Sequence, residues 1–248
     1  MNEELIINAK NDNRVKWNKI MKNNIKTFCA LPSKNIEKII IYCHGLGSNK
    51  SYASRFYEEL LKNNIGIIAF DFPGHGEDRT DFSQFSLALC IQYLEQIIQY
   101  AKETYNVPLY LFGSSFGGFV ILNKLIQNSM NIEKVILMCP AINFFDILNR
   151  KTNIKEDYYN SHEYLPLYNG IKIYPKTYFE LKKANNEVKN YNFNDIAIIQ
   201  GTDDKTVLCS EIQAFCLKNN LKLKIIEEGK HELYKFDNEI IKFILNNI

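Results

Sequence analysis

The stretch Leu109-Tyr110-Leu111-Phe112-Gly113-Ser114-Ser115-Phe116-Gly117-Gly118 passes from a continuous apolar run through G-x-S-x-G into a segment of helical periodicity. A serine at the apex of a strand-turn-helix corner projects its hydroxyl beyond the edge of a sheet. Small flanking residues let the strand and helix backbones approach closely enough for the turn. Ser115 is therefore the candidate nucleophile, with Gly117 and Gly118 supplying the small neighbours.

Working outward, continuous apolar runs alternate with helical periodicity, the pattern of strands buried on both faces of a mostly parallel sheet. Strands are predicted at 38–43, 66–72, 108–112, 134–139, 195–200 and 221–226, and helices at 51–62, 86–105, 116–127, 207–217 and 232–245. In 86–105 the residues Leu87, Leu94, Ile97, Ile98 and Ala101 share one face. The segment 25–30 reads as an antiparallel strand leading into the parallel part. Alternating β and α elements with short connections predict an α/β fold, a three-layer α/β/α sandwich with right-handed crossovers. The stretch 143–191 breaks the alternation and is too long for a plain connection, so it is predicted as an inserted cap within a single domain spanning 1–248.

At 248 residues with 46% hydrophobic content, the chain can bury one large core. Its net charge of +2 is spread over interspersed residues of both signs, which argues against nucleic acid as a partner. The N-terminal Met1-Asn2-Glu3-Glu4 is acidic where a secretory leader needs basic residues. The longest apolar stretch, 135–142, is far below the ~18 residues of a membrane span. A soluble cytoplasmic protein is predicted. The six cysteines are scattered without a C-x-x-C pair, as expected of buried free thiols. No metal or cofactor motif is read, and no signal bears on oligomeric state.

A serine hydroxyl needs a general base within hydrogen-bond reach and a third group to orient that base. Of four histidines, His231 follows the last predicted strand and so sits at the same sheet edge as Ser115. His44 and His75 lie in glycine turns, and His162 lies in the insertion. The acid is sought in Gly201-Thr202-Asp203-Asp204-Lys205-Thr206-Val207, where either aspartate could orient the imidazole while the other serves the turn. Cys43-His44-Gly45-Leu46-Gly47-Ser48 could set the Leu46 N–H opposite the Phe116 N–H as donors to an oxyanion. It is not a phosphate loop, because no glycine stands at the G-x-x-x-x-G-K-S spacing before Lys50-Ser51.

Together with the turn Asp71-Phe72-Pro73-Gly74-His75-Gly76 and the order Ser, Asp, His, these motifs resemble the α/β-hydrolase superfamily. Within it, the chain is similar to the serine-hydrolase branch of monoacylglycerol lipases, serine aminopeptidase-like hydrolases and cinnamoyl or feruloyl esterases. The resemblance implies an eight-stranded-type sheet with the cap inserted after the sixth strand, a small-molecule ester substrate and no cofactor. Its G-x-x-D-x-x-V pattern selects Asp204 over Asp203. The cap, with Tyr164-Leu165-Pro166-Leu167-Tyr168 and Tyr178-Phe179, is most similar to the cinnamoyl-esterase type, so Tyr164, Tyr168 and Tyr178 are expected at the substrate. Three positions depart from the pattern: Ser114 before the nucleophile, Phe116 after it, and Lys230 beside His231.

Overall fold

Strands and helices follow the chain in a computed structural model that describes residues 3–17, 25–127 and 131–248. Met1 and Asn2, part of the leader reading above, lie outside the described residues. The first elements are α1 (Glu3–Asn11), β1 (Val15–Trp17), β2 (Thr27–Ala30), β3 (Lys38–Cys43), α2 (Tyr57–Lys62), β4 (Ile65–Phe70) and α3 (Leu87–Thr104). Next come β5 (Leu109–Ser114), α4 (Phe116–Gln127), β6 (Lys134–Met138), α5 (Phe144–Thr152), β7 (Leu165–Pro166), β8 (Lys172–Ile173) and α6 (Pro175–Asn190). The chain closes with β9 (Ile196–Gly201), α7 (Cys209–Asn219), β10 (Lys222–Ile226) and α8 (Asp237–Leu245).

Eight strands form one sheet in the order β1-β2-β4-β3-β5-β6-β9-β10. The run from β4 to β10 is parallel, and β2 joins it antiparallel to β4 with β1 beyond as the edge. The inner strands are buried and mostly apolar along their length because both faces are covered. In β3, Ile39, Ile41 and Cys43 pack on the face covered by α3 to α7, whereas Ile40 and Tyr42 pack on the face of α1, α2 and α8. This is the α/β-hydrolase sheet, flanked by helices in three layers.

The predicted helix 51–62 splits into a 3-10 turn, Lys50–Arg55, and α2. All six residues of the turn are buried, which the one-sided stripe of a surface helix does not provide. The predicted helix 232–245 starts only at Asp237, because Leu233 takes a left-handed backbone with φ of 49°. Between β6 and β9, α5 and α6 flank a small hairpin in which Leu165 pairs with Ile173. Glu180 on α6 accepts the Leu87 and Ala88 N–H groups at 2.9 and 2.8 Å, helping Ser86 cap α3. The segment is thereby tied to the sheet's helical layer. None of the described helices is long and apolar enough to cross a membrane.

Candidate active site

Ser115 is the single residue between β5 and α4, and its φ of 50° is left-handed. Such a conformation costs a non-glycine residue about 1–2 kcal/mol. The surroundings hold it there: its N–H donates to the Met138 carbonyl at 3.0 Å, and its carbonyl accepts the N–H groups of Gly118 at 3.0 Å and Ala141 at 3.1 Å. A Cβ on Gly117 would lie 2.1 Å from the Cys43 carbonyl oxygen, so only glycine permits this corner to sit against β3.

The Ser115 hydroxyl donates to His231 Nε2 at 2.9 Å, and His231 Nδ1–H donates to Asp204 Oδ2 at 2.7 Å. An ionised carboxylate can only accept, which assigns the proton to Nδ1 and leaves Nε2 free to take the serine proton. Asp204 Oδ1 accepts the Thr206 and Val207 N–H groups at 2.8 and 2.9 Å, and Oδ2 also accepts Gln200 Nε2–H at 3.1 Å. Burial opposes its charge, but the His231 bond and charge and the two backbone donors together hold its carboxyl below the ordinary range. Asp203 is exposed and directs its N–H to the Gly229 carbonyl at 2.9 Å. The turn therefore brings Asp204, not Asp203, to the imidazole.

Phe116 is the first residue of α4, so its N–H has no intrahelical acceptor and stands at the positive end of the helix. Leu46 lines the cavity above Ser115, and the preceding Gly45 is close enough that an added Cβ would lie 3.9 Å from Ser115 Oγ. His44 holds this loop from behind. The Phe72 N–H donates to its Nε2 at 3.0 Å and its Nδ1–H donates to the Gly45 carbonyl at 2.8 Å. Burial keeps that ring neutral, far below the usual histidine pKa. His75 packs beside His44 with ring centroids 5.4 Å apart, and His162 stacks on Tyr158 at 4.0 Å. Neither meets Ser115.

A cavity of about 620 Å³ opens over the serine. Its apolar lining comes from Leu46, Ala141, Leu167 and the α5 residues Phe144, Ile147 and Leu148, while Lys151 and Thr152 at the end of α5 and Ser48, Asn49, Tyr52 and Glu232 add polar groups. Tyr168 is on the wall, with its hydroxyl donating to the Leu46 carbonyl at 2.9 Å. Tyr164 and Tyr178 do not line it. Tyr178 is buried on the α5 side of α6 against Phe145, Tyr159 and Phe179, and Tyr164 packs on Tyr174 beneath the Lys172 ammonium. Aromatic content marked the segment without saying which rings it keeps for its own packing. The α5 wall was missed, although the spacing of Phe144, Ile147 and Leu148 is that of one helical face.

Among the described residues, one cluster offers metal-ligating donors: Cys139, Asp204 and His231, with ligand atoms within 4.8 Å of one another. Burial and the Asp204 charge push the Cys139 thiol up, which disfavours the thiolate a zinc site requires. The Asp204 and His231 atoms already share a proton.

Comparison with known proteins agrees with this architecture. The family model for serine aminopeptidase, S33, matches residues 34–155, covering the Leu46 loop and the Ser115 corner. A monoglyceride lipase homolog of monkeypox virus is 25% identical over 244 residues, covering 85% of this chain and 87% of that protein. Protein phosphatase methylesterase 1 of Debaryomyces hansenii is 33% identical over 118 residues, 44% of this chain but only 30% of its own length. Est1E from Butyrivibrio proteoclasticus, solved with ferulic acid bound, superposes with a TM-score of 0.77 at 20% identity, covering 94% of this chain and 98% of that one. The chain has the α/β-hydrolase fold that Est1E also shows, and it is a serine hydrolase related to the monoglyceride lipases and the S33 serine aminopeptidase family.

Proposed function

We propose that the protein hydrolyses carboxylic esters of small or medium acyl or aryl acids through an acyl-enzyme on Ser115. The observation that carries this reading is the unbroken relay from Ser115 Oγ through His231 to Asp204, with bonds of 2.9 and 2.7 Å at the floor of the cavity. Ser115 attacks the ester carbonyl while His231 Nε2 takes its proton, and Asp204 stabilises the resulting imidazolium. The Leu46 and Phe116 N–H groups receive the oxyanion; loss of one such donor elsewhere costs about 2.7–4 kcal/mol. His231 then protonates the leaving alcohol and activates the water that releases the acid.

The apolar α5 wall supports an acyl or aryl group on that side, and the volume suits a ligand of modest size. The names of the relatives supply the two ester classes to try first, monoglycerides and hydroxycinnamates. Residues 143–191 act in this reading as a cap over the site. The six free cysteines support residence in a reducing compartment, the cytoplasm.

A fluorophosphonate probe with peptide mapping tests the proposal. Labelling confined to Ser115 and lost in Ser115→Ala, together with turnover of chromogenic esters, is expected. A folded wild-type protein that neither labels nor turns over esters overturns it in favour of a ligand-binding protein of this fold. The S33 match favours one second reading, an aminoacyl amide substrate, and the same triad also suits a thioester. Matched ester, thioester and aminoacyl-amide substrates separate the three.

A further inference from the structure

The base loop contains no regular structure between β10 and α8, yet His231 must aim one ring nitrogen at Ser115 and the other at Asp204. What holds it comes from the far end of the chain. The Arg55 side chain, 2% exposed, ends the 3-10 turn that follows the Leu46 loop. Its Nη1 donates to the Glu232 carbonyl at 2.9 Å and its Nη2 to the Leu233 carbonyl at 3.0 Å, the two carbonyls directly after His231. Nε donates to Asp237 Oδ1 at 3.0 Å, and the remaining two N–H groups reach Asp237 and the Tyr52 hydroxyl. The Tyr52 hydroxyl itself donates to the Glu232 carbonyl at 2.9 Å.

All five guanidinium donors are thus committed in a fixed planar fork, which an ammonium with three donors cannot reproduce. The rings of Tyr52, Phe56 and Tyr234 surround the cation at 4.7, 5.2 and 5.0 Å. The carbonyl taken by Nη2 belongs to Leu233, whose left-handed φ of 49° is unfavourable for a leucine and survives only where the surroundings impose it. A buried cation joined to one carboxylate is a weak source of net stability. Its geometry serves the loop.

We propose that Arg55 is the positioning residue for the base, fixing the His231 loop relative to the Leu46 loop so that imidazole and oxyanion donors keep their register. This rests on His231 being the general base. A misplacement of about 1 Å costs on the order of 100-fold in rate. Well below its melting transition, Arg55→Ala is expected to lose about that factor in kcat with KM changed by less than about threefold. Arg55→Lys is expected to recover only part of the rate. Millimolar guanidinium ion, entering the vacated aromatic cage, is expected to restore Arg55→Ala by at least about tenfold while leaving Ser115→Ala inactive.

Full kcat in either variant overturns the proposal, as does a loss in Arg55→Ala that guanidinium does not relieve. If Arg55→Ala does not fold, Arg55→Lys and Tyr52→Phe carry the test, and wild-type kcat in either overturns it. Amide hydrogen exchange of residues 229–236 is read in parallel on wild type and Arg55→Lys. Faster exchange confined to this loop is expected whatever the substrate, and unchanged exchange overturns the clamp. A wild-type protein that fails to label at Ser115 while the exchange result holds would strike the base assignment and leave the clamp standing.

Discussion

Gly201, at the end of β9, lies against Gly229 so closely that a Cβ on Gly201 would stand 2.1 Å from the Gly229 carbonyl oxygen. That contact joins the loop carrying Asp204 to the loop carrying His231. The strands beneath are in register, with Ile226 paired to Gly201, and the Asp203 N–H closes the junction on the Gly229 carbonyl. Gly201→Ala must therefore push the two loops apart. A loss in kcat on the order of 100-fold is expected, against a stability cost of about 1–3 kcal/mol for the overpacking. Steady-state kinetics and urea denaturation on the same sample check it; an activity loss no larger than the unfolded fraction would refute the mechanical link.

The two adjacent aspartates give a sharper contrast. Asp204→Asn is expected to lower kcat by about 10⁴-fold through the wrong imidazole tautomer, whereas Asp203→Asn is expected to stay within about twofold, since Asp203 enters the junction through its backbone N–H. Because the folded Asp204 carboxyl titrates below its unfolded value, its contribution to stability is fully present above about pH 3.9 and is lost as the pH falls through the folded value. The stability difference between wild type and Asp204→Asn should then change with pH only in that acidic window, as followed by thermal melts. Equal kcat losses in the two variants would reopen the assignment.

The legible parts of this molecule are those where one local rule has one geometric solution. A G-x-S-x-G between a buried strand and a helix leaves Ser115 little else to be, and a histidine after the last parallel strand reaches the same edge by topology. Asp203 and Asp204 share one turn, and turn composition does not say which carboxylate faces inward; backbone N–H groups at Thr206 and Val207 decide it. The late start of α8 was hidden for a related reason. Leucine favours helix, so nothing at Leu233 announces a left-handed residue imposed by contacts with Arg55. Tyr178 and Tyr168 were indistinguishable as aromatics of one insertion, and their fates depend on how α6 docks on α5. The three-residue strand β1 carried too short a pattern to register.

Two buried histidines tie stability to mild acid. His44 and His75 are both held below the ordinary histidine pKa, first by burial, so the native state keeps them neutral while the unfolded chain takes up protons below about pH 6.5. Stability is therefore fully present above that pH and declines as the pH falls. Unfolding near pH 5 is expected to be accompanied by uptake of up to about two protons from this pair. His75→Asn, whose amide nitrogen takes the place of Nδ1 and can still donate to the Pro73 carbonyl, should reduce the dependence by about one. Urea unfolding between pH 7 and 5 measures it, and a flat profile would contradict the neutral assignment.

The wall of α5 sets the acyl side of the cavity in this reading, and it can be reshaped without touching the relay. Ile147 lines the cavity and is 4% exposed, so truncation removes three carbons of its side chain facing the substrate. Because one methylene in an apolar pocket is worth about 1–3 kcal/mol in selectivity, Ile147→Ala should raise kcat/KM for longer acyl esters over short ones by at least about tenfold. Its stability cost should be about 2–5 kcal/mol, so the kinetics belong well below the melting transition. Tyr178→Phe is the control, because its ring packs inside the insertion and its hydroxyl reaches only Asn149 at 3.5 Å. That variant should hold the ratio within about twofold, the scale of a weak hydrogen bond. A chain-length series in which Tyr178→Phe shifts the optimum and Ile147→Ala does not would place the acyl pocket on the other side of α6.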